Sequence, residues 1–461
     1  MKVEGLPAVR ELLHDAVSGH DADYVDIRLE EAETTQLTYR GQRLEEVGRA
    51  ASKGGSIRAL VKGGWAFMSF NNLDHLREKA KAAVSQARMS SRERSDFAPV
   101  EPVVDTVTTD SPGKSPRSVP LGVKKALLDE YNGIILGTPG IMTSVVNYAD
   151  GLRRVVFASS QGSYIEQGRE DVTIRFVAVA RDGGEVQQSG LSVGSRDDLS
   201  ALEGLHHEVT ETARRAVELL KAPPVKGGEY TVILDPVLAG VFAHEAFGHL
   251  SESDFIYEDK RLQEVMVLGR RFGGKHLSIV DDPTMPGLRG SYKYDDEGTP
   301  ARKSYLIREG VLVGRLHSRE TAARMGEAPT GNARALSYRH PPIVRMSNTY
   351  IEPGPSTFEE LIGEVEEGVY ARNWYGGTTS MEMFTFSAGD AFMVRRGKVA
   401  EPLRPVVLTG NLFATLGEID AVGNDLDMNQ GGGCGKLGQA PLPVSNGGPH
   451  IRIRRCLVGG K

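Results

Sequence analysis

Apolar residues recur at helical spacing near the start of the chain, at Leu6, Val9, Leu12, Leu13 and Val17, and predict a helix. The segment after it mixes β-forming residues with Gly41, Gly54, Gly55, Gly63 and Gly64, the pattern of an antiparallel meander. A second helix is expected from Leu73, Leu76, Ala80, Ala83, Val84 and Ala87, with Asn72 as its N-cap. The periodicity dissolves between Ser90 and Pro120, where Pro99, Pro102, Pro112, Pro116 and Pro120 mark a domain boundary or a long surface connection. Beyond it, Val123, Leu127, Leu128 and Tyr131 predict a third helix. Short strands are expected around 142–150, 153–158, 162–168 and 170–180, then a closing helix with Ser200 and Glu203 as a capping box. Pro223 and Pro224 break the chain, Glu229 to Leu234 reads as a strand, and a helix follows almost at once. The remainder is rich in short β runs and turns, such as Asp295-Asp296-Glu297-Gly298 and Gly376-Gly377. The expected class is α+β. An N-terminal region of helix and antiparallel sheet (1–100), a connection (101–120) and a middle α+β region (121–224) precede a predominantly β C-terminal domain (225–461).

Composition adds bounds. A chain of 461 residues, 39% hydrophobic and 25% charged, has ordinary globular statistics and room for two or three domains. With 55 basic and 61 acidic residues, the net charge of -6 supplies no broad attraction for nucleic acid or an anionic membrane, so neither is an expected partner. Two cysteines, Cys434 and Cys456, do not make a disulfide framework and fit a reduced compartment. The opening Met-Lys-Val-Glu-Gly-Leu-Pro lacks the apolar core of a signal peptide, and no apolar run approaches a membrane span. A soluble cytoplasmic protein is expected.

The densest chemistry lies in Val-Phe-Ala-His-Glu-Ala-Phe-Gly-His-Leu (241–250), on the expected helix of the C-terminal domain. Imidazoles are good zinc ligands, and a carboxylate beside the first can accept a proton from water that the metal has made acidic. The pattern therefore points to a zinc hydrolase, with His244 and His249 as ligands and Glu245 as general base. The spacing is one residue longer than the His-Glu-x-x-His of zincins. Residues four apart on a regular helix lie about 40° apart around the axis, but residues five apart lie about 140° apart. The helix must therefore be interrupted between the histidines, by a π-type turn or an early end, with Gly248 expected to supply backbone freedom. A catalytic zinc takes three protein ligands and keeps a position open. Cys434, in Asn-Gln-Gly-Gly-Gly-Cys-Gly-Lys-Leu-Gly-Gln, is one candidate for the third, beside Glu252, Asp254 and His340. His206, His207 and Glu208 read instead as a solvated helix face, because adjacent helical residues point in different directions.

Nucleotide readings of the glycine-rich loop fail on context. A Walker A loop needs glycine where Gln430 stands and Ser or Thr where Leu437 stands, and Pro441 and Pro443 occupy the place of a dinucleotide-binding helix. Tyr338, His340 and Arg345 suit an oxyanion stabiliser chemically, but none is assigned that role.

With these residues in place, the chain resembles the TldD/PmbA family of zinc-dependent peptidases, specifically its catalytic TldD-type branch. The likeness covers most of the chain after residue 225 and rests on His-Glu-Ala-Phe-Gly-His (244–249), Asp-Asp-Glu-Gly-Thr-Pro (295–300), Pro-Thr-Gly-Asn-Ala-Arg (329–334), Val-Gly-Asn-Asp-Leu (422–426) and Cys-Gly-Lys-Leu-Gly-Gln (434–439). The resemblance implies that His244, His249 and Cys434 bind the metal and that Glu245 is the catalytic carboxylate. It also implies paired subunits enclosing a chamber, as a homodimer or with a TldE/PmbA-type partner, and a substrate that is a short peptide or unfolded polypeptide. The non-catalytic branch lacks the metal motif, which is intact here. The stretch 376–384 departs from the more polar version of some members, so substrate preference is expected to differ. The rival expectation is a non-hydrolytic interaction subunit of a peptidase complex.

Overall fold

The computed structural model describes residues 7–91, 94–108, 113–380 and 382–460. Leu6 of the first predicted helix and Pro112 of the connection lie outside them. The first helix spans Pro7–Val17 and buries Val9, Leu13, Ala16 and Val17, whereas Leu12 stays exposed. The second spans Leu76–Met89 and its N-cap position is His75. Asn72 does not cap it. Its side chain instead accepts from Lys79 Nζ at 2.6 Å.

The four short strands expected after residue 141 are two long ones, Ile141–Ser159 and Tyr164–Asp182, followed by Glu185–Arg196. Asp150-Gly151 looks like a turn in sequence, but Gly151 pairs with Thr34 on one side and Asp171 on the other, so the strand runs through. The expected capping box at Ser200 is also different. Asp198 caps a short 3₁₀ turn, Leu199–Leu202, by accepting from Ser200 N, and the helix itself spans His206–Leu219.

Tyr24–Arg40 pairs antiparallel with both Arg43–Val61 and Ile141–Ser159, so the first two regions share one seven-stranded sheet. Alternation assigns its faces. On Tyr24–Arg40 the odd positions Val25, Ile27 and Leu29 pack into one apolar cluster with the first two helices. Leu37 and Tyr39 pack into a second with the helices Leu121–Gly137 and His206–Leu219. The even positions Asp26, Arg28 and Glu30 are charged, yet all are buried. They meet the acidic turn of the C-terminal domain: Arg58 pairs with Asp26 and, at 2.8 Å, with Glu297, while Arg153 joins Glu30 at 2.9 Å to Asp296 at 3.1 Å. Asp295-Asp296-Glu297-Gly298 is therefore a turn, as expected, and also the ionic joint between sheet and C-terminal domain.

The C-terminal domain is mainly β. Gly228–Leu234 lies between Glu367–Ser380 and Ile451–Gly460, and the path continues through Val406–Asn411 and Met383–Arg395 to Lys398–Leu403. Because Glu367–Ser380 also pairs with Met383–Arg395, five of these strands close into a ring. A second sheet of six short strands includes Asn348–Ile351 and Ser445–Gly448. Between the two sheets runs the helix Pro236–Ala243, which leads to the histidines.

Candidate metal centre

Local sequence fixes where that helix starts. Asp235 accepts from Leu238 N at 2.8 Å as its N-cap, and Pro236 occupies the first turn, where a missing N–H costs nothing. The segment Val-Leu-Ala-Gly-Val-Phe-Ala then has no charge to present to solvent, and from Leu238 to Ala243 every residue is buried. Phe242 packs edge-on against Phe384 and Phe386, with ring centroids 5.6 and 6.0 Å away. On the other side a Cβ on Gly240 would stand 2.5 Å from Gly447 N, so glycine there allows the helix to press on the strand. The helix is a rigid buried stem that delivers its C-terminal end to a fixed place.

At that end the helix widens. His244–Gly248 forms a π-turn, in which His249 N–H donates to the His244 carbonyl five residues back, and a 3₁₀ turn His249–Ser251 follows. The interruption demanded by the spacing is present, and the two imidazoles face one another at a centroid separation of 5.2 Å. The expected role of Gly248 is not. Its φ of -58° and ψ of -53° are ordinary helical values, open to any residue. What excludes a side chain is space: a Cβ would lie 2.0 Å from Met346 Sδ, in the fully buried core.

Cys434 arrives from 185 residues away on the two-stranded hairpin Gly433–Lys436 and Gln439–Pro443. Leu437 and Gly438 both have positive φ (48° and 77°), as a two-residue hairpin loop whose twist matches its strands requires. Arg345, fully buried, donates to the Cys434 carbonyl at 2.8 Å and to the Gln439 carbonyl at 3.1 Å, so it is a structural brace across the hairpin. Tyr338 is also structural. It donates to Asn71 at 2.8 Å and lies against Gly54, where a Cβ would approach its ring to 2.3 Å.

His244, His249 and Cys434 converge so that one donor atom of each lies within 4.8 Å of the others. Cys434 Sγ is 3.5 Å from His249 Nε2. Zinc bonds of 2.3 Å to sulfur and about 2.0–2.1 Å to nitrogen at a tetrahedral angle would put those atoms about 3.6 Å apart. The buried Nδ1 of His244 has no hydrogen-bond partner, so that nitrogen has a lone pair or proton that no protein group satisfies. On both counts the donor set fits a divalent metal.

Charge at the cluster is arranged in the same sense. Burial opposes ionisation of Cys434, but the two histidines outweigh it and draw its pKa down to about 4. Burial likewise opposes protonation of His244, and the Cys434 thiolate more than offsets this, with a net upward shift. For His249 burial is outweighed first by Glu252 and then by Cys434, and the pKa rises well above its usual value. A thiolate beside protonated imidazoles is thus favoured by the protein groups alone, and a bound cation would take the place of those protons.

The other candidates for third ligand fall outside the cluster. Glu252 stands behind His249, with its Oε2 3.0 Å from Nδ1, an arrangement that leaves Nε2 facing Cys434. Asp254 binds Lys436 Nζ at 2.6 Å, and His340 Nδ1 is 3.1 Å from Ser337 Oγ. His206 and His207 are exposed, as expected of a solvated helix face, and His206 pairs with Glu130 at 2.7 Å. Glu245 is partly exposed beside His244 and raises that residue's pKa through its charge. Sequence reasoning misses Lys436, although it sits two residues after Cys434, because nothing in a sequence marks a lysine as buried. It also misses the Asp235-Pro236 start signal, which is legible.

Three family models together match almost the whole chain: PmbA/TldA metallopeptidase domain 1 over residues 25–87, the central domain over 114–222 and the C-terminal domain over 227–460. A protein named a metalloprotease in Synechocystis is 48% identical over 440 residues, 95% of each chain. A protein named zinc metalloprotease TldD homolog in Saccharolobus solfataricus is 29% identical over 95% of this chain and 97% of its own. The crystal structure of TldE from Thermococcus kodakarensis shares the fold, with a TM-score of 0.72 at 19% identity over 95% of this chain and 97% of that one.

Proposed function

The chain belongs to the PmbA/TldA (TldD) metallopeptidase family, and from that membership and the converging donors we propose a zinc-dependent peptidase with His244, His249 and Cys434 as ligands and Glu245 as general base. The observation that carries the reading is the π-turn at His244–Gly248, which brings two imidazoles five residues apart to a centroid separation of 5.2 Å, as shared ligation would require. Zinc bound by these three residues would supply Lewis acidity toward a peptide carbonyl and lower the pKa of water towards about 7. Glu245 takes that proton and returns it to the leaving amine, a role open to a carboxylate that is neither a ligand nor fully enclosed. Glu252 holds the His249 ring and fixes which nitrogen faces the ion. Thiolate donation from Cys434 would temper the acidity of a bound ion, which favours a slow enzyme.

The substrate we propose is a short peptide or unfolded polypeptide, and the assembly a dimer, with a second copy or with a TldE/PmbA-type subunit, in the cytoplasm. No described helix is long and apolar enough to cross a membrane. The test is zinc content and peptide cleavage by the purified chain, alone and mixed with such a partner. Cleavage that falls by about 10²–10⁴ in Glu245→Gln at unchanged zinc content supports the base. Equal turnover by the variant removes it, and one zinc per chain with no cleavage in either mixture favours the interaction subunit.

A further inference from the structure

The metal reading leaves one group unused: Lys436, an ammonium with 2% of its side chain exposed, in the core of the C-terminal domain. Lysine is rarely buried to that degree unless every donor is matched. Here Nζ donates to Asp254 Oδ1 at 2.6 Å and to the Val344 carbonyl at 2.9 Å, and forms an ion pair with Glu252 Oε2 at 3.1 Å. Nζ also sits 4.1 Å from the ring centroid of Phe255. Three oxygens gathered on one nitrogen suit a compact ammonium.

The partner matters more than the burial. Glu252 is fully buried, and its Oε2 is the atom that meets His249 Nδ1 at 3.0 Å. One carboxylate oxygen therefore touches a histidine of the cluster and the lysine two residues from the cysteine. Two segments separated by 185 residues are cross-linked immediately behind the donor atoms. The hairpin that carries Cys434 pairs with no larger sheet among the described residues, so its placement depends on such braces.

We propose that Lys436 and Glu252 form a positioning clamp that sets the distance and orientation between His249 and Cys434 before the metal arrives. The inference rests on the metal-centre reading and adds a claim about how the site is held. It also accounts for a buried ion pair in a place where apolar residues would stabilise the fold as well or better. Preorganised donors bind a metal without the cost of ordering a mobile hairpin.

The experiment titrates Co²⁺ into the full-length protein and follows the near-ultraviolet thiolate-to-cobalt band. Parent, Lys436→Met, Glu252→Gln, the double variant and Lys124→Met are compared. Lys124→Met is the control, because Lys124 is an equally buried lysine paired with Asp150 in the other sheet. The clamp predicts that both single variants lose about 10–100-fold in Co²⁺ affinity, as removal of groups behind a ligand does. The double variant should be no weaker than the singles, since the two residues act as a unit. Its thermal stability should recover part of the way towards the parent, because neither member of the pair is left charged without the other and only Asp254 loses a partner, while its affinity does not. Lys124→Met should lower stability and leave cobalt affinity unchanged. A double variant that regains both stability and parent affinity would reduce the pair to a structural role and overturn the clamp. Should Lys436→Met fail to fold, Glu252→Gln, which keeps the side chain's size, decides alone: parent affinity and spectrum there overturn the proposal. A parent that shows no thiolate band overturns the metal centre itself, a failure distinct from that of the clamp.

Discussion

The two cysteines of this chain are equally enclosed, each 4% exposed, and chemically opposite. Cys456 lies in the strand Ile451–Gly460, inside the apolar cluster of the C-terminal domain, where burial pushes its thiol up to about 12. Cys434 lies in a hairpin against two imidazoles, where burial acts in the same direction but loses to the neighbouring charge, and its thiol falls to about 4. Depth alone therefore says nothing about reactivity. What separates the two is whether a second segment of chain delivers cationic donors to the sulfur. The His244–Gly248 turn does so for one, and nothing comparable faces the other among the described residues.

The comparison breaks most easily at the metal. Cys434→Ser should weaken zinc binding by more than about a hundredfold, since loss of a ligand exceeds the 10–100-fold effect of groups behind one, while Cys456→Ser should leave it unchanged. Elemental analysis after dialysis against a weak chelator reads the difference, and full zinc occupancy in Cys434→Ser would remove that residue from the site. Gly248→Ala comes next. The added methyl must displace Met346 in a filled core, at about 1–3 kcal/mol, and shift the turn that carries His249. If space is the cause, Gly248→Ala should cost less in a Met346→Ala background than in the parent, whereas an undiminished cost in thermal unfolding would point back to backbone freedom.

Alkylation sharpens the contrast further. At pH 7 a thiol with a pKa of about 4 is almost all thiolate, and one at about 12 has on the order of 10⁻⁵ as thiolate. The lower nucleophilicity of the less basic sulfur cancels most of that advantage and leaves about tenfold or more in rate. Mass spectrometry of metal-free protein treated with iodoacetamide should therefore find Cys434 labelled first, with zinc abolishing the preference. Equal labelling of both would show that access, not charge, governs the two sites. The smallest effect is Cys456→Ala, expected to cost about 1 kcal/mol in thermal unfolding with no change in zinc stoichiometry.

The legible parts of this site are those carried by spacing. Residues five apart, like His244 and His249, cannot share an ion on a regular helix, so the spacing by itself requires a break, and the π-turn lies where that requirement puts it. The reason for Gly248 is not legible, because sequence shows that glycine permits unusual backbone and cannot show Met346 pressed against it from 98 positions later. The same limit explains Asp26, Arg28 and Glu30. Alternation separates them from the apolar face, but the acidic turn that covers them, met directly by Arg28 and through Arg58 and Arg153 by Asp26 and Glu30, is supplied by tertiary structure, so a polar face is buried. Asp150-Gly151 carries a turn signal overridden by strands on both sides. The α+β class and the mainly β C-terminal region rest on summed pattern over many residues, and they survive such local errors.

The central claim is that the π-turn histidines and the hairpin cysteine hold one ion between them. X-ray absorption at the zinc edge on the purified, zinc-loaded protein tests it most directly. One sulfur at about 2.3 Å and two imidazole nitrogens at about 2.0–2.1 Å are expected, with a light atom completing the shell. The sulfur contribution should be absent from Cys434→Ser and intact in Cys456→Ser. A spectrum of parent protein with nitrogen and oxygen scatterers only would contradict the account.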